Sequence, residues 1–159
     1  MDIIKPKHFS VKEIFPPELC AKHKNSEWKL WLKLDPNYAM VVDYIRNRYL
    51  KEYGYSVINT WHSPKLINQF GRLDQCGLRT NTDKGQHPYG RAFDIKFTEI
   101  IKIGNANKRL ELYERIRADL IAKINSGCKE LQAVKGIETG IKWLHLDFRP
   151  TRDLCLFGK

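Results

Sequence analysis

Two histidines of this chain lie in segments whose residue types could support catalysis. The segment HPYGRAFD begins at His87 and ends at Asp94, and the segment WLHLD, further along the chain, contains His145. A catalytic zinc ion takes three protein ligands and leaves its fourth position to water. His87, Asp94 and His145 can supply three such ligands, and a zinc-bound water becomes a nucleophile near neutral pH. Either segment alone has a simpler interpretation, because a single histidine on a strand is usually a structural residue.

The WLHLD segment has the alternation of a β-strand, in which successive side chains point to opposite faces of the sheet. His145 and Asp147 therefore share one face, with Trp143 and Arg149 beside them. The apolar side chains of the other face are those of Leu144, Leu146 and Phe148. We expect the apolar face to pack on the core and the polar face to form the site.

The HPYGRAFD segment leads into a second predicted strand, from Arg91 to Phe97. Ala92 and Asp94 point to the outward face of this strand. Its core-facing side chains are those of Phe93, Ile95 and Phe97. Gly90 permits a tight turn, so that His87, on the loop before the strand, can fold back beside Asp94.

Two long amphipathic helices are predicted, from Asn37 to Tyr53 and from Lys108 to Ser126. The second helix carries Arg117 within an otherwise apolar stripe. A capping box at residues 10–13 predicts a short helix near the start of the chain. The spacing of Trp28 and Trp31 predicts another short helix, closed by the Asp35-Pro36 pair.

The predicted strands do not alternate regularly with helices, which indicates an α+β fold with a small, mostly antiparallel sheet. One strand is predicted from Tyr55 to Trp61, followed by a short helix that begins at the Ser63-Pro64 pair. A long polar loop is predicted from Arg72 to Gln86, and a loop of that length is more often functional than not. The C-terminal part is predicted as a hairpin, with strands from Leu131 to Lys135 and from Ile141 to Phe148.

The composition is that of a single globular domain. We assign all 159 residues to one domain, with a helical leader at 1–34 and a catalytic core at 35–159. The 28 Lys and Arg residues exceed the 18 Asp and Glu residues by 10, which favours an anionic partner such as nucleic acid, an anionic membrane face or an acidic wall polymer. No apolar run approaches the ~20 residues of a membrane span.

Two further patterns bear on where the protein works. Residues 1–10 lack the apolar stretch of a secretory signal, so we expect synthesis in the cytoplasm without a signal peptide. The four cysteines contain no C-x-x-C pair, which favours reduced, packed thiols over a zinc ribbon or a redox motif. These cysteines are Cys20, Cys76, Cys128 and Cys155.

The pattern H-x-x-G-x-A-x-D, formed by His87, Gly90, Ala92 and Asp94, is followed by W-L-H-L-D around His145. This pair of motifs resembles the zinc D-alanyl-D-alanine carboxypeptidase and L-alanyl-D-glutamate endopeptidase family. That family includes many phage endolysins and shares its fold with the hedgehog signalling domain. Weaker similarities, FSVKEI at 9–14 and NTWHSP at 59–64, extend the resemblance over most of the chain in the right order.

The resemblance implies a hedgehog-like peptidase fold with His87, Asp94 and His145 as the zinc ligands. It implies hydrolysis of a peptide bond in the stem peptides of bacterial peptidoglycan. Zinc would polarise the scissile carbonyl and hold the attacking water, and a nearby carboxylate would take that water's proton. On this basis we expect a monomeric phage lysin that acts on the cell wall in the periplasm after release or delivery.

Two departures from the family pattern affect the catalytic assignments. Many relatives place an acid three residues before the second ligand histidine, where this chain has Lys142. We therefore assign the general base to Asp147, with Glu138 in the preceding predicted turn as the reserve candidate. The arginine of the family's S-G-Y-R-S-P segment is His62 here, which can donate the same hydrogen bond. The residues predicted to bind substrate are Arg79, Trp143 and Arg149.

Two other functions remain open at this stage. A protein of the same fold that has lost catalysis would be a zinc-containing module that binds the wall. Lys142, at the position where many relatives have an acid, would be the result of that loss. The net positive charge also fits a nucleic-acid-binding protein. No recognised nucleic-acid-binding motif is present, so we expect no stable nucleic-acid partner.

Overall fold

The structure is a computed structural model, and it describes residues 3–15, 17–58, 86 and 90–158. Several predicted features lie outside these residues: the end of the strand predicted from Tyr55, the helix after Ser63-Pro64, and all but the last residue of the long polar loop. Three of the candidate site residues, His62, Arg79 and His87, also lie outside them.

Six helices are found among the described residues. They are α1 (Val11–Ile14), α2 (Pro17–Lys22), α3 (Trp28–Trp31), α4 (Tyr38–Tyr53), α5 (Thr98–Ile101) and α6 (Ala106–Asn125). The two long predicted helices are confirmed as α4 and α6. Helix α6 begins two residues earlier than predicted because the Asn105 side chain accepts hydrogen bonds from the backbone N–H groups of Asn107 and Lys108. The predicted capping box is also present, with the Glu13 carboxylate accepting from the backbone N–H of Ser10.

In the part of the chain that the structure describes, five strands form one sheet in the order β1-β2-β4-β3-β5. They are β1 (Ser56–Ile58), β2 (Ala92–Phe97), β3 (Gly136–Thr139), β4 (Leu144–Asp147) and β5 (Cys155–Gly158). All neighbouring pairs are antiparallel except β3 and β5, which are parallel. The predicted α+β class with a small, mostly antiparallel sheet is confirmed.

The predicted C-terminal hairpin is wrong in its first strand. Residues Lys129–Leu131 form a 3-10 helix, and the strand begins only at Gly136, within the segment predicted as the turn. Leu131 and Val134 are both buried, and the backbone N–H of Val134 donates to the Leu131 carbonyl at 2.9 Å. Their spacing of three residues is that of a tight turn anchored in the core, and not the alternation of a strand. The last strand, β5, had no counterpart in the prediction.

One face of the sheet packs against the two long helices. The Phe97 ring lies 5.8 Å from Tyr49 of α4 and 6.2 Å from Tyr113 of α6, measured between ring centroids. The residues predicted to face the core from β2 and β4 are all buried: Phe93, Ile95, Phe97, Leu144, Leu146 and Phe148. The opposite face of β2 and β4 therefore carries Asp94, His145 and Asp147. No helix in the described part of the chain is long and apolar enough to cross a membrane.

Candidate functional site

The candidate site is a row of side chains that crosses four strands of the sheet. Asp94 of β2 lies directly opposite His145 of β4. Gly136 of β3 pairs with Asp147 of β4, so the antiparallel register brings Glu138 to the other side of His145. Glu138 in turn lies opposite Phe157 of β5. We call Asp94, His145, Glu138 and Phe157 the site row.

The imidazole of His145 lies between carboxylates. Its Nδ1 is 2.7 Å from Oδ1 of Asp94, which accepts a hydrogen bond, and 4.0 Å from Oε2 of Glu138. Its Nε2 is 3.6 Å from Oδ2 of Asp147. His145 is only 7% exposed, so these charged groups interact with little screening by solvent. The sequence predicts that the polar face of the strands points outward, but this face is buried at His145.

The surroundings of His145 stabilise positive charge. Burial by itself would lower the pKa of the imidazole, but its contacts with Asp147 and Asp94 and the charge of Glu138 outweigh burial and raise that pKa to about 9. The described part of the site offers one imidazole nitrogen and carboxylate oxygens, which are ligand types found in zinc sites. These donor types are compatible with zinc, and the described residues supply two of the three predicted ligands, Asp94 and His145.

Asp147 is the most deeply buried group of the site, at 1% exposed. Burial would raise its pKa, but hydrogen bonds from Arg149 and the contact with His145 lower that pKa to about 2. Arg149 donates to Asp147 from Nε at 2.8 Å, from Nη2, and from its backbone N–H at 3.2 Å. The carboxylate lies over β3 at Gly136, where a Cβ atom would stand 2.2 Å from Oδ1 of Asp147. Only glycine leaves room for this carboxylate.

Two of the residues predicted to bind substrate have defined surroundings. The Arg149 guanidinium is held by Asp147 and lies 4.2 Å from the centre of the Phe157 ring, so a substrate would have to compete with Asp147 for it. Trp143 is half-buried, and its indole N–H has no hydrogen-bond partner among the residues that the structure describes. A buried N–H of this kind can donate to a bound ligand.

The turn before His145 is fixed by two side chains of α6. Arg117, only 1% exposed, donates from Nη2 to the carbonyls of Ile141, at 2.8 Å, and of Trp143. Glu114 accepts from the Nη1 of Arg117 at 2.9 Å and from the backbone N–H of Gly140 at 2.8 Å. Sequence reasoning did not assign these two residues to the site, although an arginine in an apolar helix stripe was the available signal.

The third predicted metal ligand, His87, lies outside the described residues. Its neighbour Gln86 is described, and its carbonyl accepts from the backbone N–H of Arg91 at 3.1 Å, so the chain approaches the N-terminal end of β2 at that point. Gly90 has φ 66° and packs so closely on the Lys33 carbonyl that a Cβ atom would stand 2.1 Å from it. Within 3–15, 17–58, 86 and 90–158, no group of three His, Cys, Asp or Glu side chains could hold a metal ion.

Comparison with known proteins gave no match to the chain among protein-family models, curated proteins or solved structures. The assignment of function therefore depends on the motifs and on the geometry of the site row.

Proposed function

We propose that this protein is a zinc-dependent peptidase that hydrolyses an amide bond in the stem peptides or cross-links of bacterial peptidoglycan. The observation that carries the proposal is the direct pairing of Asp94 with His145, at 2.7 Å, beside a third charged group, Glu138. These are the residue types that a catalytic zinc site needs, and two of them belong to the two motifs that resemble the zinc peptidases. The fold proposed with this function is the hedgehog-like peptidase fold.

Zinc would be held by Asp94 and His145, with His87 as the third proposed ligand. When bound, zinc supplies Lewis acidity at the scissile carbonyl and lowers the pKa of a coordinated water. His145 would use Nδ1, the nitrogen that faces Asp94, because Nε2 faces the buried carboxylate of Asp147. The net positive charge of the chain, +10, favours association with anionic cell walls.

We assign the general base to Glu138 rather than to Asp147. A carboxylate whose pKa is about 2 and which is already held by Arg149 is a weak proton acceptor at neutral pH. Glu138 has a side chain that is 29% exposed, and its Oε2 lies 4.0 Å from Nδ1 of His145, the same nitrogen that contacts Asp94. Oε2 of Glu138 can therefore accept a proton from a water held beside His145. Asp147 would then act on the ring of His145 and not on the substrate.

Digestion of purified sacculi tests this function. The protein, supplied with zinc, should release muropeptides with new stem-peptide termini, detected by mass spectrometry. Glu138→Gln should lower the rate by roughly 100-fold or more while zinc stays bound, because proton transfer by a positioned base contributes about 10²–10⁴-fold. Glu27→Gln, which removes one negative charge from an exposed position, is the matched control and should cleave like the wild type.

A catalytically impaired module that binds the wall is the second candidate. The observation that favours it is the exposed Lys142, which stands where many of the resembling peptidases carry an acid. Retention of zinc-loaded protein on sacculi, with muropeptides unchanged at high protein concentration, would support this candidate and contradict the peptidase. Loss of cleavage in Glu138→Gln from an active wild type would exclude it.

A further inference from the structure

Arg149 and the buried Asp147 form an ion pair next to Nε2 of His145, the nitrogen that does not face Asp94. They are two residues apart on the chain, so strand alternation puts both side chains on the face that carries His145. The Arg149 guanidinium reaches back along the strand and donates from Nε and Nη2 to the two carboxylate oxygens of Asp147. Two-point contact of this kind fixes the orientation of a carboxylate as well as its position.

Two further contacts hold the pair in place. Gly136 leaves the space that the Asp147 carboxylate occupies, since a Cβ at that position would overlap all three of its terminal atoms. Phe157 of β5 packs its ring against both neighbours, with its centroid 5.6 Å from that of His145, edge to face, and 4.2 Å from the Arg149 guanidinium. The edge strand β5 therefore stabilises both the arginine and the imidazole.

The ion pair of Arg149 and Asp147 affects the orientation of the His145 ring. The two ring nitrogens face different carboxylates: Nδ1 lies 2.7 Å from Oδ1 of Asp94, and Nε2 lies 3.6 Å from Oδ2 of the buried Asp147. Histidines that bind metals commonly have their second nitrogen fixed by a carboxylate, and loss of that partner typically weakens metal affinity about 10–100-fold. Rotation of the ring would exchange the two nitrogens and present Nε2, instead of Nδ1, on the Asp94 side.

We propose that Arg149 and Asp147 are positioning residues, which act together to hold the His145 ring with its Nε2 towards Asp147 and its Nδ1 presented on the Asp94 side. This inference rests on the proposed zinc site for its functional meaning. It concerns only the ring orientation, and that can be measured with or without metal. Arg149 acts through Asp147 and need not contact substrate.

The test compares wild type with Arg149→Met, Asp147→Asn and Arg149→Lys. Arg152→Met is the matched control, because Arg152 is exposed and lies three residues further along the chain. Zinc affinity is measured by competition with a chelator, and the ring protons and nitrogens of His145 by ¹H–¹⁵N NMR. Backbone spectra report whether each variant is folded.

In the zinc-loaded wild type, we expect a protonated Nε2 and a metal-bound Nδ1. Arg149→Met and Asp147→Asn should weaken zinc binding roughly 10–100-fold, with faster solvent exchange of the Nε2 proton. Arg149→Lys should show a smaller loss, because lysine keeps the charge but cannot donate at two points. A folded Arg149→Met with wild-type zinc affinity and an unchanged His145 ring would overturn the proposal, as would a metal-bound Nε2 in the wild type.

The same experiment distinguishes failure of the proposed zinc site from failure of the positioning proposal. If the folded wild type binds no zinc, the zinc site is wrong, and the positioning proposal is then judged on the metal-free ring. A slowly exchanging Nε2 proton that becomes fast in Arg149→Met, but not in Arg152→Met, would support the proposal. Equal rates of Nε2 proton exchange in the wild type, Arg149→Met and Arg152→Met would overturn it.

Discussion

The buried guanidinium of Arg117, on α6, donates to the backbone carbonyl of Trp143, two residues before His145. The same group also binds the carbonyl of Ile141 and the carboxylate of Glu114. A helix on the core side of the sheet therefore determines where the β3–β4 turn lies and where the strand that carries His145 begins.

Replacement of Arg117 should be costly for stability. Arg117→Met removes the donor that binds two carbonyls and leaves the Glu114 carboxylate with only the Gly140 N–H of its two donors, and we expect a loss of about 3 kcal/mol in the free energy of unfolding. Arg115→Met is the control, because it removes an exposed ion pair with Glu111 and should cost less than about 1 kcal/mol. Urea unfolding of both variants measures the difference, and equal losses would show that the turn does not depend on Arg117.

Gly136 should be intolerant of a side chain even though its backbone does not require glycine. Gly136→Ala would place a methyl group in the space of the Asp147 carboxylate, so we expect a loss of about 1–3 kcal/mol and weaker zinc binding. Gly104→Ala, where a Cβ meets nothing within 4 Å, should leave stability close to that of the wild type. Thermal unfolding with and without zinc measures both effects, and a wild-type response of Gly136→Ala would mean that Asp147 is not held over β3.

Tyr113 should make the fold sensitive to alkaline pH. Its hydroxyl accepts a hydrogen bond from the backbone N–H of Phe97 at 3.1 Å. Burial raises the pKa of Tyr113 to about 12, although the Phe97 N–H and the nearby arginines oppose the rise. Because the folded-state pKa lies above the unfolded value of about 10, this contribution is complete below pH 10 and is lost as the pH rises through 12.

Tyr113→Phe separates this contribution from those of the other buried tyrosines. The variant should lose about 1–3 kcal/mol at pH 7, because the Phe97 N–H is left without an acceptor. Its stability should also fall less steeply than that of the wild type between pH 10 and pH 12. Urea unfolding at a series of pH values measures how steeply the free energy of unfolding falls with pH in both proteins. Equal slopes would show that groups other than Tyr113 cause the alkaline sensitivity.

Alternation of side chains made part of the fold and of the site predictable. The positions of Phe93, Ile95 and Leu146 follow from the period of two in their strands, and the same period places Asp94 and His145 on one face. The strand at Gly136–Thr139 was not predictable in the same way. It is short, it begins with a glycine, and it is stabilised by the strands on both sides of it, β4 and β5.

The remaining parts of the site depend on contacts between segments that are distant in sequence. Glu138 lies beside His145 only because β3 pairs with β4 in one particular register. The room for Asp147 depends on a missing side chain at Gly136, which no local pattern reveals. The packing of Phe157 requires the parallel pairing of β5 with β3, whose partners are far apart in the chain. Such features arise from tertiary structure, whereas periodicity reports only local structure.

The zinc content of the purified protein tests the central claim most directly. Elemental mass spectrometry, on protein prepared without chelator, should find about one zinc per chain in the wild type. Asp94→Ala and His145→Ala should lose the metal, whereas His8→Ala, which removes an exposed histidine from the N-terminal segment, should keep it. A folded wild type that holds no zinc even after reconstitution would contradict the account.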